Sequence, residues 1–267
     1  MFMQKFRAAA TSNRSTLCIG LDPDLARLPE HLPRDATGIV QFNQAIIEAT
    51  SDLVCAYKPN IAFYEALGSA GWQALKQTIA SIPSHIPILL DAKRGDIGST
   101  AQAYASAAFD ELGVDAITLS PYMGYDSLQP FLERADKTCF ILCRTSNPGG
   151  DDVQNLMLAD GEPLFLKIAE LVAKRWNSNH NCGLVVGATY PAEIATIHQR
   201  YPELPLLVPG VGSQGGDIEA VLAAAGEQAI INVSRSVLYA SGGSSFAEAA
   251  RKVAQGFLVP KQALNHP

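Results

Sequence analysis

The chain has 267 residues, 48% apolar and 17% charged, with a formal net charge of −6. That length and apolar content can build one large core. The acidic balance argues against a nucleic-acid or anionic-membrane partner, both of which need a basic face. No run is long and apolar enough for a membrane span or a signal peptide.

In chain order, "LCIGLD" (Leu17–Asp22) is the first expected strand, followed by a long connection, "DPDLARLPEHLPRDATG". "VCAYKPN" (Val54–Asn60) is the second, and Trp72, Leu75, Ile79 and Ile82 then repeat at helical spacing. "PILLDAK" (Pro87–Lys93), "DAITLSP" (Asp115–Pro121) and "CFILCRT" (Cys139–Thr145) follow, the last with a second long connection, "SNPGGDDVQNLMLADGEP". "CGLVVGA" (Cys182–Ala188), "PLLVPGV" (Pro205–Val211) and "AIINVSR" (Ala229–Arg235) complete the strands, before a helical pattern at Phe246, Ala250, Val253 and Phe257.

These strand runs are apolar along most of their length, as when a parallel sheet is buried on both faces. Eight of them alternating with helices, without a dividing linker, predict a single (β/α)8 barrel domain over residues 1–267. Alternation alone leaves a doubly wound open sheet as the alternative. The five cysteines, Cys18, Cys55, Cys139, Cys143 and Cys182, lie in apolar runs and make no C-x-x-C pair. Buried, reduced thiols in a cytoplasmic protein are expected.

Polar residues gather where strands end, the end that carries chemistry in a barrel. Asp22 closes strand 1, Lys58 and Asn60 strand 2, and Asp91 and Lys93 strand 3; Ser146 and Asn147 follow strand 5, Gln214 strand 7, and Arg235 ends strand 8. The bland reading is that strand ends are simply where chains become wet. Asp91 and Lys93 are two apart, so strand alternation puts them on one side. Lys58 arrives on the neighbouring strand at a similar height. An ammonium among carboxylates has its charged form favoured, so Lys93 should stay protonated and serve as proton donor or electrostatic stabiliser, not as a Schiff-base nucleophile. A structural ion-pair network is the competing account.

"PGVGSQGGD" (Pro209–Asp217) and then "NVSRS" (Asn232–Ser236) fit a phosphate monoester: glycines turn backbone N–H groups to an anion, and Arg235 supplies a planar fork. The histidines, His31, His85, His180, His198 and His266, avoid the strand ends, and no H-x-x-x-H or Cys/His cluster appears, so no metal and no cofactor are expected. Neither a G-x-S-x-G elbow nor a Walker loop is present.

"LDAKRGDIGST", with "YKPN", "SNPGG", "PGVGSQGGD" and "SRS" in order from about Leu17 to Tyr239, resembles the orotidine 5′-phosphate decarboxylase family in its longer bacterial form. The resemblance implies metal-free decarboxylation of orotidine 5′-phosphate to UMP, the last step of de novo pyrimidine nucleotide synthesis. It implies that Lys58, Asp91, Lys93 and Asp96 form the charged array at the reacting carbon. A homodimer is implied as well, with Asp96, Ile97 and Thr100 completing the partner's site. Asp22 would bind the ribose, Ser146 the pyrimidine amide, and Gln214 and Arg235 the phosphate, with Pro209 and Ser234 beside them. Many relatives carry Gly where this chain has Ser234. Two rivals differ in class: a metal-dependent decarboxylase or aldolase on sugar phosphates, which would want an acidic ligand where Lys58 stands, and a non-catalytic phosphoribosyl-binding barrel, which has no use for Lys93.

Overall fold

Runs rich in Val, Ile and Leu set the strands: β1 (Leu17–Leu21), β2 (Ala56–Pro59), β3 (Leu89–Arg94), β4 (Ala116–Leu119), β5 (Thr138–Arg144), β6 (Cys182–Val186), β7 (Leu206–Pro209) and β8 (Ala229–Val233). The computed structural model describes residues 2–211, 218–226 and 229–258. At every position β1, β2, β4, β6 and β8 are buried, which is why these runs lack polar alternation.

Between them lie α1 (Phe2–Asn13), α2 (Ala36–Thr50), α3 (Ala62–Glu65), α4 (Gly68–Ser81), α5 (Gly98–Ser106) and α6 (Tyr125–Leu132). The later helices are α7 (Asp151–Gln154), α8 (Leu164–Leu171), α9 (Pro191–Arg200), α10 (Ile218–Ala225), α11 (Arg235–Leu238) and α12 (Phe246–Gln255). The strands form one sheet in the order β2-β1-β8-β7-β6-β5-β4-β3. Its two outer members are joined by parallel bridges, Tyr57 to Ile88 and Asn60 to Asp91. The sheet returns on itself, so the fold is the expected (β/α)8 barrel and not an open sheet.

By density of internal contacts the chain falls into two units, residues 93–231 and residues 2–92 with those from 232 onward; the cuts fall inside β3 and β8. In the second unit α2 packs against α4 and α12. There the Phe42 ring stacks on Tyr239 at 6.0 Å and on Phe246 at 5.1 Å. Buried Asn43 donates to the Tyr64 hydroxyl at 2.9 Å and the Thr78 hydroxyl at 3.0 Å, tying α2 to α3 and α4. In the first unit β4 to β7 pair in parallel succession, with α5 against α6 and α9 against α10.

Two helical faces match expectation in part, with Leu75, Ile82, Phe246 and Ala250 buried as their spacing suggests. On α4 the buried residues are Gly71, Ala74, Leu75 and Thr78, while Trp72 and Ile79 are half-buried. On α12 they are Phe246, Ala250 and Ala254, with Val253 half-buried, as is Phe257 beyond the helix end. On both helices small residues share the buried face with one large apolar side chain, Leu75 or Phe246. All five cysteines are free and buried, as expected.

The Asp35 side chain caps α2, accepting from the N–H of Thr37 at 2.8 Å and of Gly38 at 3.1 Å. Asp35→Ala should lower unfolding stability by about 1 kcal/mol without altering the fold; urea unfolding followed by circular dichroism measures it, and an unchanged midpoint would contradict the capping role.

Candidate active site

At the ends of β1, β2 and β3 the polar residues converge as the sequence suggested. Lys58 is 3% exposed, and its Nζ donates to Asp91 Oδ2 at 2.8 Å. The bridge between Asn60 and Asp91 aligns the two strands, and the Asp91 carbonyl accepts from Ile61 N–H at 3.2 Å. Burial alone would lower the Lys58 pKa, but the carboxylates of Asp91 and Asp22 outweigh it, so the pKa is raised. The Lys58 ammonium is thus held in its charged form by carboxylates. Behind it the buried Cys18 thiol is pushed up to about 12, by burial first.

Gly20 stands opposite Lys58 in register. A Cβ there would lie 2.8 Å from Ser234 Cβ and 3.1 Å from both Asp22 Oδ2 and Ser234 Oγ. Only glycine lets β1 approach Ser234 this closely. Asp22 Oδ1, Asn232 Oδ1, Ser234 Oγ and Ser236 Oγ are buried with no partner among the described residues. An unsatisfied buried polar atom costs about 1–3 kcal/mol, so such a group marks a place where a polar ligand completes the bonding. Arg235, exposed, opens α11 directly after Ser234. The Tyr239 hydroxyl donates to the Asp22 carbonyl at 3.2 Å and accepts from Asp24 N–H at 2.7 Å, which fixes the backbone that carries Asp22.

In the unit of residues 93–231, Lys93 is exposed and has φ 48°, in the left-handed region. Lysine pays roughly 1–2 kcal/mol for that conformation. Its N–H donates to Thr118 Oγ1 at 2.9 Å, and the Arg94 carbonyl accepts from Ser120 N–H at 2.7 Å. The alternation argument that put Asp91 and Lys93 on one side assumed extended backbone throughout, and Lys93 departs from that conformation within β3. Half-buried Asp96 accepts from Ile97 N–H at 2.8 Å, just before α5. Ile97 is 54% exposed, and Thr100 on α5 is exposed too. Tyr122, in "YMGYDS", is 86% exposed.

Ser146 is half-buried after β5, and Pro209 ends β7, where its carbonyl accepts from Ala188 N–H at 2.9 Å. Gln214 lies outside the described residues. Sequence reasoning missed Thr118, Tyr239 and Arg144 as supporting groups. Only Arg144 left a trace, as a charge closing an apolar run. Among the described residues no cluster of three His, Cys, Asp or Glu could hold a metal, and no helix is long and apolar enough to cross a membrane.

Removing Asp91 strands a buried charge, so Asp91→Asn should cost about 3 kcal/mol of stability at neutral pH. In the parent the Lys58 pKa is raised, so its contribution is complete below the unfolded value of about 10.4 and is lost only above it. In the variant burial acts with one carboxylate fewer against it, Lys58 titrates lower, and the stability gap to the parent should narrow from about pH 7 to pH 10. Urea midpoints across that range test this, and a constant gap would contradict it.

The sequence matches the family model described as "Orotidine 5'-phosphate decarboxylase / HUMPS family" over residues 15–252. It is 97% identical over 267 residues, all of both chains, to an orotidine 5′-phosphate decarboxylase of Herpetosiphon aurantiacus. To that of Roseiflexus castenholzii it is 57% identical, covering 95% of this chain and 94% of the relative. The solved OMP decarboxylase of Leishmania donovani superposes with a TM-score of 0.85 at 42% identity, covering 96% of this chain and 97% of that one. The chain belongs to the orotidine 5′-phosphate decarboxylase / HUMPS family.

Proposed function

We propose that the chain decarboxylates orotidine 5′-phosphate to UMP and carbon dioxide without a metal, as one domain working in the cytoplasm. The observation that carries this is the buried Lys58–Asp91 pair leading along β3 to Lys93. Family membership supports the substrate and the reaction. A buried ammonium at the end of β2 also repels a divalent cation, which favours metal-free chemistry over the metal-dependent rival.

Breaking the bond from ring carbon six to the carboxylate leaves the electron pair in the ring plane, outside the π system, where no conjugated sink reaches it. The required barrier reduction is near the upper end of the enzymatic range, about 20 kcal/mol. A fixed ammonium facing the developing carbanion stabilises it without reorganisation during reaction. Lys93 then gives its proton to carbon six, carbon dioxide leaves, and the amine takes a proton back from solvent. Asp91, Lys58 and the partner's copy of residue 96 hold that ammonium in place. Asp22 takes the ribose hydroxyls, Ser146 the pyrimidine amide, and Pro209, Gln214, Ser234 and Arg235 surround the phosphate. The orphaned oxygens of Asp22 and Ser234 support this assignment.

The loss of orotidylate absorbance on adding the protein tests the activity. Lys93→Ala should lower kcat about a thousandfold or more, and EDTA should leave the parent unchanged. A competent Lys93→Ala enzyme, or EDTA inactivation reversed by magnesium, would overturn the proposal.

Homodimerisation is supported by exposed Ile97, Tyr122, Met123 and Tyr125, all in the segments around Asp96 and Thr100 or after β4. If Asp96 and Thr100 complete the partner's site, two inactive variants, Lys93→Ala and Asp96→Ala, should complement when refolded together. Half the dimers would be mixed, each with one intact site, giving about a quarter of parent activity. Absence of recovery, with mixed dimers verified by tag, would place Asp96 in its own chain's site.

A further inference from the structure

Arg144 is the unexpected residue of β5. Its guanidinium is 1% exposed although it closes an otherwise apolar strand. It donates from Nη2 to Asp151 Oδ1 at 2.5 Å, from Nε to Glu193 Oε2 at 3.3 Å, and from Nη1 to Gln154 Oε1 at 3.4 Å. Its central carbon lies 3.9 Å from the centroid of the Tyr190 ring. Asp151 and Gln154 are in α7, on the connection after β5, while Tyr190 and Glu193 cap and begin α9, after β6. One buried cation thus fastens two loops. Burial raises the Glu193 pKa, and Arg144 pulls against that rise. Breaking such a pair leaves an uncompensated charge, so the arrangement holds its geometry firmly.

The network encloses the three residues that follow Arg144. Gln154 Oε1 accepts from Thr145 N–H at 2.8 Å, and Gln154 Nε2 donates to Thr145 Oγ1 at 2.8 Å. Thr145 Oγ1 in turn donates to Asn147 Oδ1 at 2.7 Å. On the other side Gly187 N–H donates to the Arg144 carbonyl at 2.8 Å. A Cβ at Gly187 would lie 2.8 Å from Ser146 N and 2.9 Å from its Cα, so the Ser146 backbone lies flush against that glycine. The Ser146 hydroxyl takes no part in these bonds, which leaves it for a ligand.

We propose that Arg144 is a positioning residue: by tying α7 to the start of α9 it fixes Ser146 where it meets the pyrimidine base, and so sets base affinity without touching substrate. The proposal rests on the pyrimidine role given to Ser146 above. A merely structural arginine would affect all ligands alike. A positioning arginine should affect UMP and spare ribose 5-phosphate, which has the sugar and phosphate but no base.

Titration calorimetry of both ligands on the full chain makes the test, with Arg144→Met, Gln154→Ala and Ser146→Ala compared with the parent. Gln154→Ala leaves the buried charge paired with Asp151 and Glu193, so it carries the test if Arg144→Met does not fold. Both variants should weaken UMP about tenfold or more while ribose 5-phosphate stays within about twofold. If Ser146→Ala is selective for UMP and the other two are not, Arg144 has no positioning role and the base assignment stands. If Ser146→Ala itself shows no selectivity, the base assignment fails and this inference falls with it.

Discussion

The ion pair between Lys58 and Asp91 is the constraint around which the candidate site is arranged. An ammonium taken out of water loses more than a single carboxylate returns unless the geometry is close and other charges help. Here Asp91 is in hydrogen-bond contact and Asp22 adds a second negative charge. The neighbours on β1 follow from it. Cys18 is small and stays neutral, and Gly20, opposite Lys58, leaves room for Ser234. A buried pair of this kind contributes little net stability, and an apolar pair of similar volume would serve a barrel at least as well. In the function proposed above, the pair would serve to position its neighbours more than to stabilise the barrel.

The barrel was readable in the sequence because a parallel strand buried on both faces writes itself as an uninterrupted apolar run, and eight such runs were present. The ends of those runs were readable for the same reason: Asp22, Lys58 and Asp91 interrupt them. What the pattern could not convey was backbone conformation. Nothing in "DAKRGD" marks Lys93 as left-handed, since that residue type has no local bond to favour it and Thr118 arrives from the next strand. The helical faces were legible only in part for a related reason. Periodicity locates a stripe, but whether Trp72 or Ala74 occupies its centre depends on how closely the neighbouring helix approaches. Arg144 was visible only as an anomaly, because Glu193, its most distant partner in sequence, is 49 residues away.

Several supporting groups act on backbone and not on side chains. Tyr239 grips the carbonyl of Asp22, Thr118 the N–H of Lys93, and Gln154 the N–H of Thr145. In each case a side chain from another element takes up a main-chain group at a strand end, where the sheet ladder no longer provides a partner. Strand ends are the natural place for reactive residues in a barrel and also the place where backbone order runs out. Side-chain bonds from adjoining elements restore that order, which is what a site needing accurate placement requires.

In the mechanism proposed above, the two lysines would divide the work in a way their surroundings explain. Lys58 is buried, bonded to Asp91, and has its pKa raised, so it gives up a proton poorly near neutral pH. It is suited to be a fixed charge. Lys93 is exposed at the end of β3, so as the proposed donor it could take back from solvent the proton that the product carries away. A catalyst that consumes one proton per turnover needs its donor on the wet side of the array and its anchor on the dry side. Exchanging the two would leave the donor buried. The left-handed backbone at Lys93 stores local strain of the kind that accompanies a residue whose side chain must start from a fixed origin.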